Sequence, residues 1–255
     1  MMKIAVTGKG GVGKTTLAGT LARLLARDGL DVLAIDADSD MNLASALGID
    51  ISPSPLTDHK EFIDERAGGQ AGMFKLNPKV DDVVERFGIV GPDGVRMLVM
   101  GTVEKGGSGC MCPASSFLKA LLKHVVFKES SFVILDMEAG IEHLGRGTTR
   151  GIDLMIIVVE PGSRSIETAS RIKDLASDIG IGRLAAVINK VRDVEIDVVK
   201  SRLDSMGIPV LGSIPYDSSM ITADLNNQSP VEIEGSALEA LKEIKKRLIA
   251  GEYYI

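Results

Sequence analysis

"GKGGVGKT", Gly8 to Thr15, decides how this chain is read. It fits the pattern G-x-x-x-x-G-K-[ST] and lies between the β-branched run "KIAVT" (3–7) and an amphipathic stretch over 15–28. A strand, a glycine loop and a helix in that order form a phosphate-binding loop. Gly8, Gly10, Gly11 and Gly13, with Val12 before the last, let backbone N–H groups close around phosphate oxygens. Lys14 places a positive charge on the β- and γ-phosphates, and the Thr15 hydroxyl can bind Mg²⁺. The helix that opens through Thr15 and Thr16 adds a favourable dipole at its N-terminus.

Outward from this loop, short apolar runs alternate with helical stretches. Strands are expected at 3–7, 31–36, 95–100, 132–136, 154–159, 184–189 and 210–214, and helices near 15–28, 113–127, 163–179, 195–206 and 235–249. That alternation predicts an α/β fold with a mostly parallel β-sheet flanked by helices. Residues 1–255 read as a single domain. The stretch from Ile51 to about Gly94 carries "SPSP" and "AGGQAG" and reads as a loop-rich excursion. In "ALEALKEIKKRLIAGEYYI", Ala237, Leu241, Ile244 and Leu248 form a stripe that should face the core.

Composition narrows the field. The net charge of −6 weighs against general nucleic-acid binding. No apolar run reaches the length of a membrane span, so stable membrane insertion is not expected. The first residues run straight into the phosphate loop and leave no room for a signal peptide, which points to the cytoplasm.

A phosphate loop needs one lysine, and this one has two. With Lys9, the stretch Lys9–Thr15 matches K-G-G-x-G-K-[ST] at every fixed position. It resembles the deviant Walker A ATPases, the class of MinD, ParA and the nitrogenase iron protein. The resemblance implies a MinD-like P-loop fold, ATP and ADP as ligands with Mg²⁺, hydrolysis of ATP, and a nucleotide-dependent homodimer. Lys9 would reach across the dimer to the partner's nucleotide.

"AIDADSDMNLASALG" follows the second strand. Asp36 and Asp38 stand at alternate positions at its carboxyl end, where ligands bind in such sheets. By resemblance, Asp38 would position the attacking water and Asp36 would sit near the Mg²⁺ shell. "FVILDMEAGIEHLGRG" carries Asp136, which resembles a Walker B aspartate holding Mg²⁺ through water, and Gly140, placed like a switch glycine near the γ-phosphate. Glu138 has no assigned role, and His143 reads as structural. Asn189 and Lys190 in "VINKV", and Pro215 and Asp217 in "SIPYD", resemble the nucleotide-base pocket of the class. Asn189 reads equally as a turn former.

"GSGCMCPAS", Gly107 to Ser115, holds both cysteines of the chain, Cys110 and Cys112. Pro113 suits the first position of a helix, so Cys112 would sit near its N-cap, where the dipole favours a thiolate. Residues at i and i+2 of an extended segment point the same way, and soft thiolates select Zn²⁺, Ni²⁺, Cu⁺ or an iron–sulfur cluster. Two ligands leave a site incomplete, and a two-fold dimer would supply four sulfurs.

"GGSGCMCP" (106–113) together with "DMEAGIEHLGRG" (136–147) is similar to the CooC family of nickel-insertion ATPases. That resemblance implies Ni²⁺ as cargo, with Zn²⁺ as a competitor in vitro, and carbon monoxide dehydrogenase or acetyl-CoA synthase as client. The alternatives are an iron–sulfur scaffold or reductase ATPase and a MinD-like positioning ATPase. The first would usually show C-x-x-C, a nitrogenase-type reductase two separated cysteines, and the last a terminal membrane helix.

Overall fold

The computed structural model describes residues 2–68, 75–101, 113–128, 132–139, 151–226 and 228–253. Eight strands form among these described residues: β1 (Met2–Gly8), β2 (Val32–Ala37), β3 (Ile89–Val90), β4 (Arg96–Val99), β5 (Phe132–Met137), β6 (Leu154–Val159), β7 (Leu184–Val191) and β8 (Val210–Pro215). They make one sheet in the order β3-β4-β2-β5-β1-β6-β7-β8. Every pairing is parallel except that of the two-residue β3, which runs antiparallel to β4. β1 and β6 are buried at every position, which is why their sequences are apolar almost throughout rather than alternating.

Helices cover both faces. On one face α1 (Lys14–Arg27), α2 (Leu43–Leu47) and α9 (Ser236–Ala250) pack Leu17, Leu21, Leu47 and Leu241 against Ile4 and Val6 of β1. On the other, α3 (Lys60–Ala67), α4 (Val83–Phe87), α5 (Pro113–Lys128), α6 (Ser163–Ile179) and α7 (Asp193–Ser205) pack Phe62, Phe117, Ile172 and Leu203 into the cluster that holds Leu33 and Leu135. α8 (Ser218–Leu225) follows β8. The expected core stripe of α9 is buried at Ala237, Leu241, Ile244 and Leu248. No helix among the described residues is long and apolar enough to cross a membrane.

The segment from Ile51 to Gly94 differs from its reading as a loop-rich excursion. It contains α3, α4 and β3, and Leu56, Phe62, Ile63, Val80 and Val83 join the core. Phe62 meets Phe87 and Phe117 edge to face, with centroids 4.8 and 5.7 Å apart. Helices of five and eight residues complete at most about two turns, too few for a hydrophobic period to show.

Near the end of α1 one guanidinium ties three segments together. Arg23, 3% exposed, donates to Asp93 at 2.7 Å and to Glu232 at 2.7 Å. Arg27 also donates to Asp93, at 3.0 Å.

The packing predicts unequal costs for two apolar truncations. Phe117→Ala should destabilise the protein by about 3–5 kcal/mol, because Phe117 is fully buried under α3. Ile51→Ala should stay within about 0.5 kcal/mol, because Ile51 is 81% exposed. Urea unfolding of the two variants checks the difference.

Candidate nucleotide-binding site

Register brings the site together. Val6 of β1 pairs with Asp136 of β5, and Asp36 of β2 pairs with Asp136 from the other side. The phosphate loop, Asp36 and Asp136 therefore leave the same carboxyl edge of three adjacent strands. Gly13 closes the loop as the cap of α1 with φ of 95°, a left-handed conformation that suits glycine. A Cβ at Gly13 would also collide with the Asn189 side chain.

Lys14 is buried at the start of α1, and its Nζ lies 3.4 Å from Asp38 Oδ2. Asp36 is fully buried and accepts hydrogen bonds from the amides of Leu43 at 3.0 Å and Asp38 at 3.2 Å. Asp38 in turn accepts from the Asp40 amide at 3.1 Å. Asp136 is fully buried, and neither of its carboxylate oxygens has a hydrogen-bond partner. An unsatisfied buried carboxylate is costly unless something charged comes to it.

Burial pushes the Asp136 carboxyl from about 3.8 up to about 7. The nearby Thr15 hydroxyl and the Lys14 ammonium pull it back, while the charges of Asp36 and Asp38 push it further up. Asp36 is likewise raised to about 6, first by burial and against the pull of its two amide donors. Asp38 and Asp136 thus share the ammonium of Lys14, and Asp36 adds a third carboxylate beside them. Excess negative charge beside a threonine hydroxyl fits a divalent cation. Among the described residues no three His, Cys, Asp or Glu side chains form a ready metal cage. Mg²⁺ keeps several waters and binds through one or two carboxylates and the substrate's phosphates, so Thr15 and Asp136 are residues that would fit it.

The base-side residues are engaged within the protein. Asn189 Nδ2 donates to the Val12 carbonyl at 2.7 Å, and its Oδ1 accepts from the Lys190 amide at 2.9 Å. Lys190 has φ of 55°, and its Nζ donates to the Gly11 carbonyl at 2.6 Å. Both side chains brace the phosphate loop from β7. Pro215 ends β8. Asp217 caps α8 and accepts from Ser219 N and Oγ, Ser236 Oγ and Ala237 N at 2.7–3.1 Å. These donors, Ser219 first, hold its carboxyl well below the usual carboxylate range. Lys9 forms no ion pair among the described residues. Cys110, Cys112, Gly140 and His143 lie outside the described residues.

Sequence reasoning passed over Thr7 and Ser39 and left Glu138 without a role. Thr7 Oγ1 donates to the Glu138 carbonyl at 2.8 Å, and the Ser39 amide donates to Glu138 Oε1 at 3.0 Å. The Ser39 hydroxyl donates to the same oxygen. The signal for this contact is positional: Ser39 lies two residues past the registered end of β2, and Glu138 one residue past that of β5.

The buried carboxylates set a pH dependence. Asp136 holds its proton to about pH 7 when folded and only to about 3.8 when unfolded. Between those values the folded state binds the extra proton, so stability falls as pH rises. With metal and nucleotide removed, the charged Asp136 costs on the order of 4 kcal/mol at pH 8. Asp136→Asn should then raise the melting temperature at pH 8, with a gain that shrinks toward pH 4, and should lose the stabilisation by Mg²⁺-ATP. Thermal melts at the two pH values, with and without Mg²⁺-ATP, check both signs.

The comparisons with known proteins agree with this geometry. The CobQ/CobB/MinD/ParA nucleotide binding domain model matches residues 3–231. The carbon monoxide dehydrogenase accessory protein CooC of Rhodospirillum rubrum is 47% identical over 231 residues, spanning 88% of this chain and 87% of its own. An uncharacterized ATP-binding protein of Methanocaldococcus jannaschii is 44% identical, spanning 97% of this chain and 98% of its own. Among solved structures, the MinC:MinD cell division protein complex of Aquifex aeolicus matches with a TM-score of 0.74 at 21% identity, over 98% of this chain and 96% of that one. The MinD of Pyrococcus horikoshii complexed with Mg-ADP matches with a TM-score of 0.71 at 22% identity, over 99% and 98%. A phosphate loop on a parallel sheet, two buried aspartates at the neighbouring strand ends and a family match across most of the chain lead to one conclusion: this protein belongs to the CobQ/CobB/MinD/ParA nucleotide-binding family and is a P-loop ATPase.

Proposed function

We propose that this ATPase is a metallochaperone that carries nickel on Cys110 and Cys112 and assists its insertion into carbon monoxide dehydrogenase or the related acetyl-CoA synthase. The observation that carries the reading is the C-x-C loop in a chain 47% identical to a carbon monoxide dehydrogenase accessory protein. Two thiolates per chain are half of a four-sulfur site, so the metal would bridge a homodimer. Cys110 and Cys112 fall in sequence between β4 and α5, and β4, parallel to β2, ends at the carboxyl edge that also carries the phosphate loop. That shared edge supports coupling between nucleotide and metal. The core-facing stripe of α9 is already buried, which weighs against α9 itself acting as a membrane-binding helix.

For hydrolysis, Lys14 and the loop amides hold the phosphates; Thr15, and Asp136 through water, would hold Mg²⁺, which would neutralise phosphate charge. Asp38 leaves its contact with Lys14 when the lysine turns to phosphate, and then orients the attacking water. Lys9 contacts the partner's nucleotide. Asn189 and Lys190, with Pro215 and Asp217, shape the base side of the pocket.

Two measurements test this reading. Lys9→Ala should bind ATP with affinity within about threefold of wild type but lose the ATP-dependent dimer. Losing two charge-assisted contacts of about 1.5–3 kcal/mol each weakens dimerisation a hundredfold or more; light scattering that shows an unchanged dimer rejects the role.

Titration with Ni²⁺, followed by thiolate charge-transfer absorption, should give one metal per dimer. The Cys110→Ser/Cys112→Ser protein should lose that site and keep ATP binding. Affinity should fall at acid pH as protons compete for the thiolates. One metal per monomer, or unchanged binding in the double variant, rejects the shared site, and an iron–sulfur spectrum points to the scaffold or reductase reading.

A further inference from the structure

Glu138 is the residue at which the three parts of the nucleotide site meet. It lies one position beyond β5, whose Asp136 is registered against both β1 and β2. Its carbonyl accepts from Thr7, the residue before Gly8 and the phosphate loop. Its carboxylate accepts from both the amide and the hydroxyl of Ser39, the residue after Asp38. The ladder between β2 and β5 ends at Ala37 and Met137, so the Glu138 side chain extends the pairing past the point where backbone bonds stop.

The turn that Glu138 grips is also held from its own side and, through Asp38, by Lys14 Nζ at 3.4 Å. Asp36 takes the amides of Asp38 and Leu43, and Asp38 takes the amide of Asp40. Met41 sits at φ of 50°, an uncommon conformation for a side chain of its size. Among the described residues, the pair of bonds from Ser39 joins the turn to the residue that follows β5. A carboxylate accepting two hydrogen bonds from adjacent donors fixes both position and orientation, and bonds to a charged acceptor are the strong ones.

We infer that Glu138 is a positioning residue for hydrolysis: by holding Ser39 it sets Asp38 in register with the phosphate loop and with Asp136. It touches neither nucleotide nor water in this role and acts through Asp38. The inference rests on the reading of Asp38 as the group that orients the water, and is independent of nickel. Displacing such a group by an ångström costs turnover on the scale of tenfold to a hundredfold, while binding contacts made elsewhere survive.

Steady-state hydrolysis, ATP affinity and thermal melts of single and double variants test it. Glu138→Ala should lower kcat by about 10–100-fold. Its ATP dissociation constant should stay within about threefold, and its melting temperature within about 4 °C of wild type. Glu138→Gln should keep most of the turnover, because its amide oxygen can accept the same two bonds. In a protein already carrying Asp38→Ala, adding Glu138→Ala should slow hydrolysis no further, since both changes remove one function.

Wild-type turnover in Glu138→Ala overturns the inference if Asp38→Ala is slow. So does a loss of turnover matched by equal losses of ATP affinity and stability, which marks a structural residue only. Full additivity of the two changes also overturns it. An Asp38→Ala protein with wild-type turnover rejects the reading of Asp38 itself, and the inference with it.

Discussion

The parallel register of β2, β5 and β1 is the constraint on which the rest depends. A parallel ladder places like ends of strands side by side, so each strand must return by a crossover before the next can pair. Here the crossovers include α1, α5 and α6, and the price of that route is burial on both faces. In exchange, whatever follows each strand's carboxyl end arrives at one place. Gly8, Asp36 and Asp136 are brought together by this geometry although more than a hundred residues of chain separate the first from the last.

Concentrating function at that edge sets it against stability. Asp36 and Asp136 lie in fully buried positions with Lys14 as the nearby cation, and their raised proton affinities record the strain of holding negative charge there. A site poised to receive a cation and a polyphosphate must leave groups that only those ligands satisfy. The orphaned oxygens of Asp136 are such groups. The same logic separates Asp136 from Asp217, whose carboxylate has its full set of donors and serves the join between α8 and α9.

Much of this was legible in the sequence, for definable reasons. The phosphate loop carries its own pattern, and the long apolar runs of β1, β5 and β6 can be little other than buried strands. Helices of 14–17 residues, such as α1, α5, α6 and α9, repeat their period often enough to be read. α3 and α4 are too short for that, and the Phe62–Phe87–Phe117 cluster that holds α3 joins residues far apart in the chain. The bracing of the phosphate loop by Asn189 and Lys190 was equally hidden. The sequence marks Asn189 and Lys190 as strand-end residues, and only the fold brings their side chains onto the carbonyls of Val12 and Gly11. The contact of Glu138 with Ser39 needs the register of β2 against β5, which no single strand contains.

Arg23 has a mechanical meaning. Its one buried guanidinium is shared by Asp93 and Glu232, on two segments distant in sequence that both pack against α1. Sliding or rotating α1 would strip a buried cation of two partners at once, a cost of several kcal/mol. The helix that supports the phosphate loop is thereby a fixed abutment. Work done by nucleotide at the loop's open end cannot be absorbed by recoil of the helix behind it, and must be delivered to the rim of the sheet.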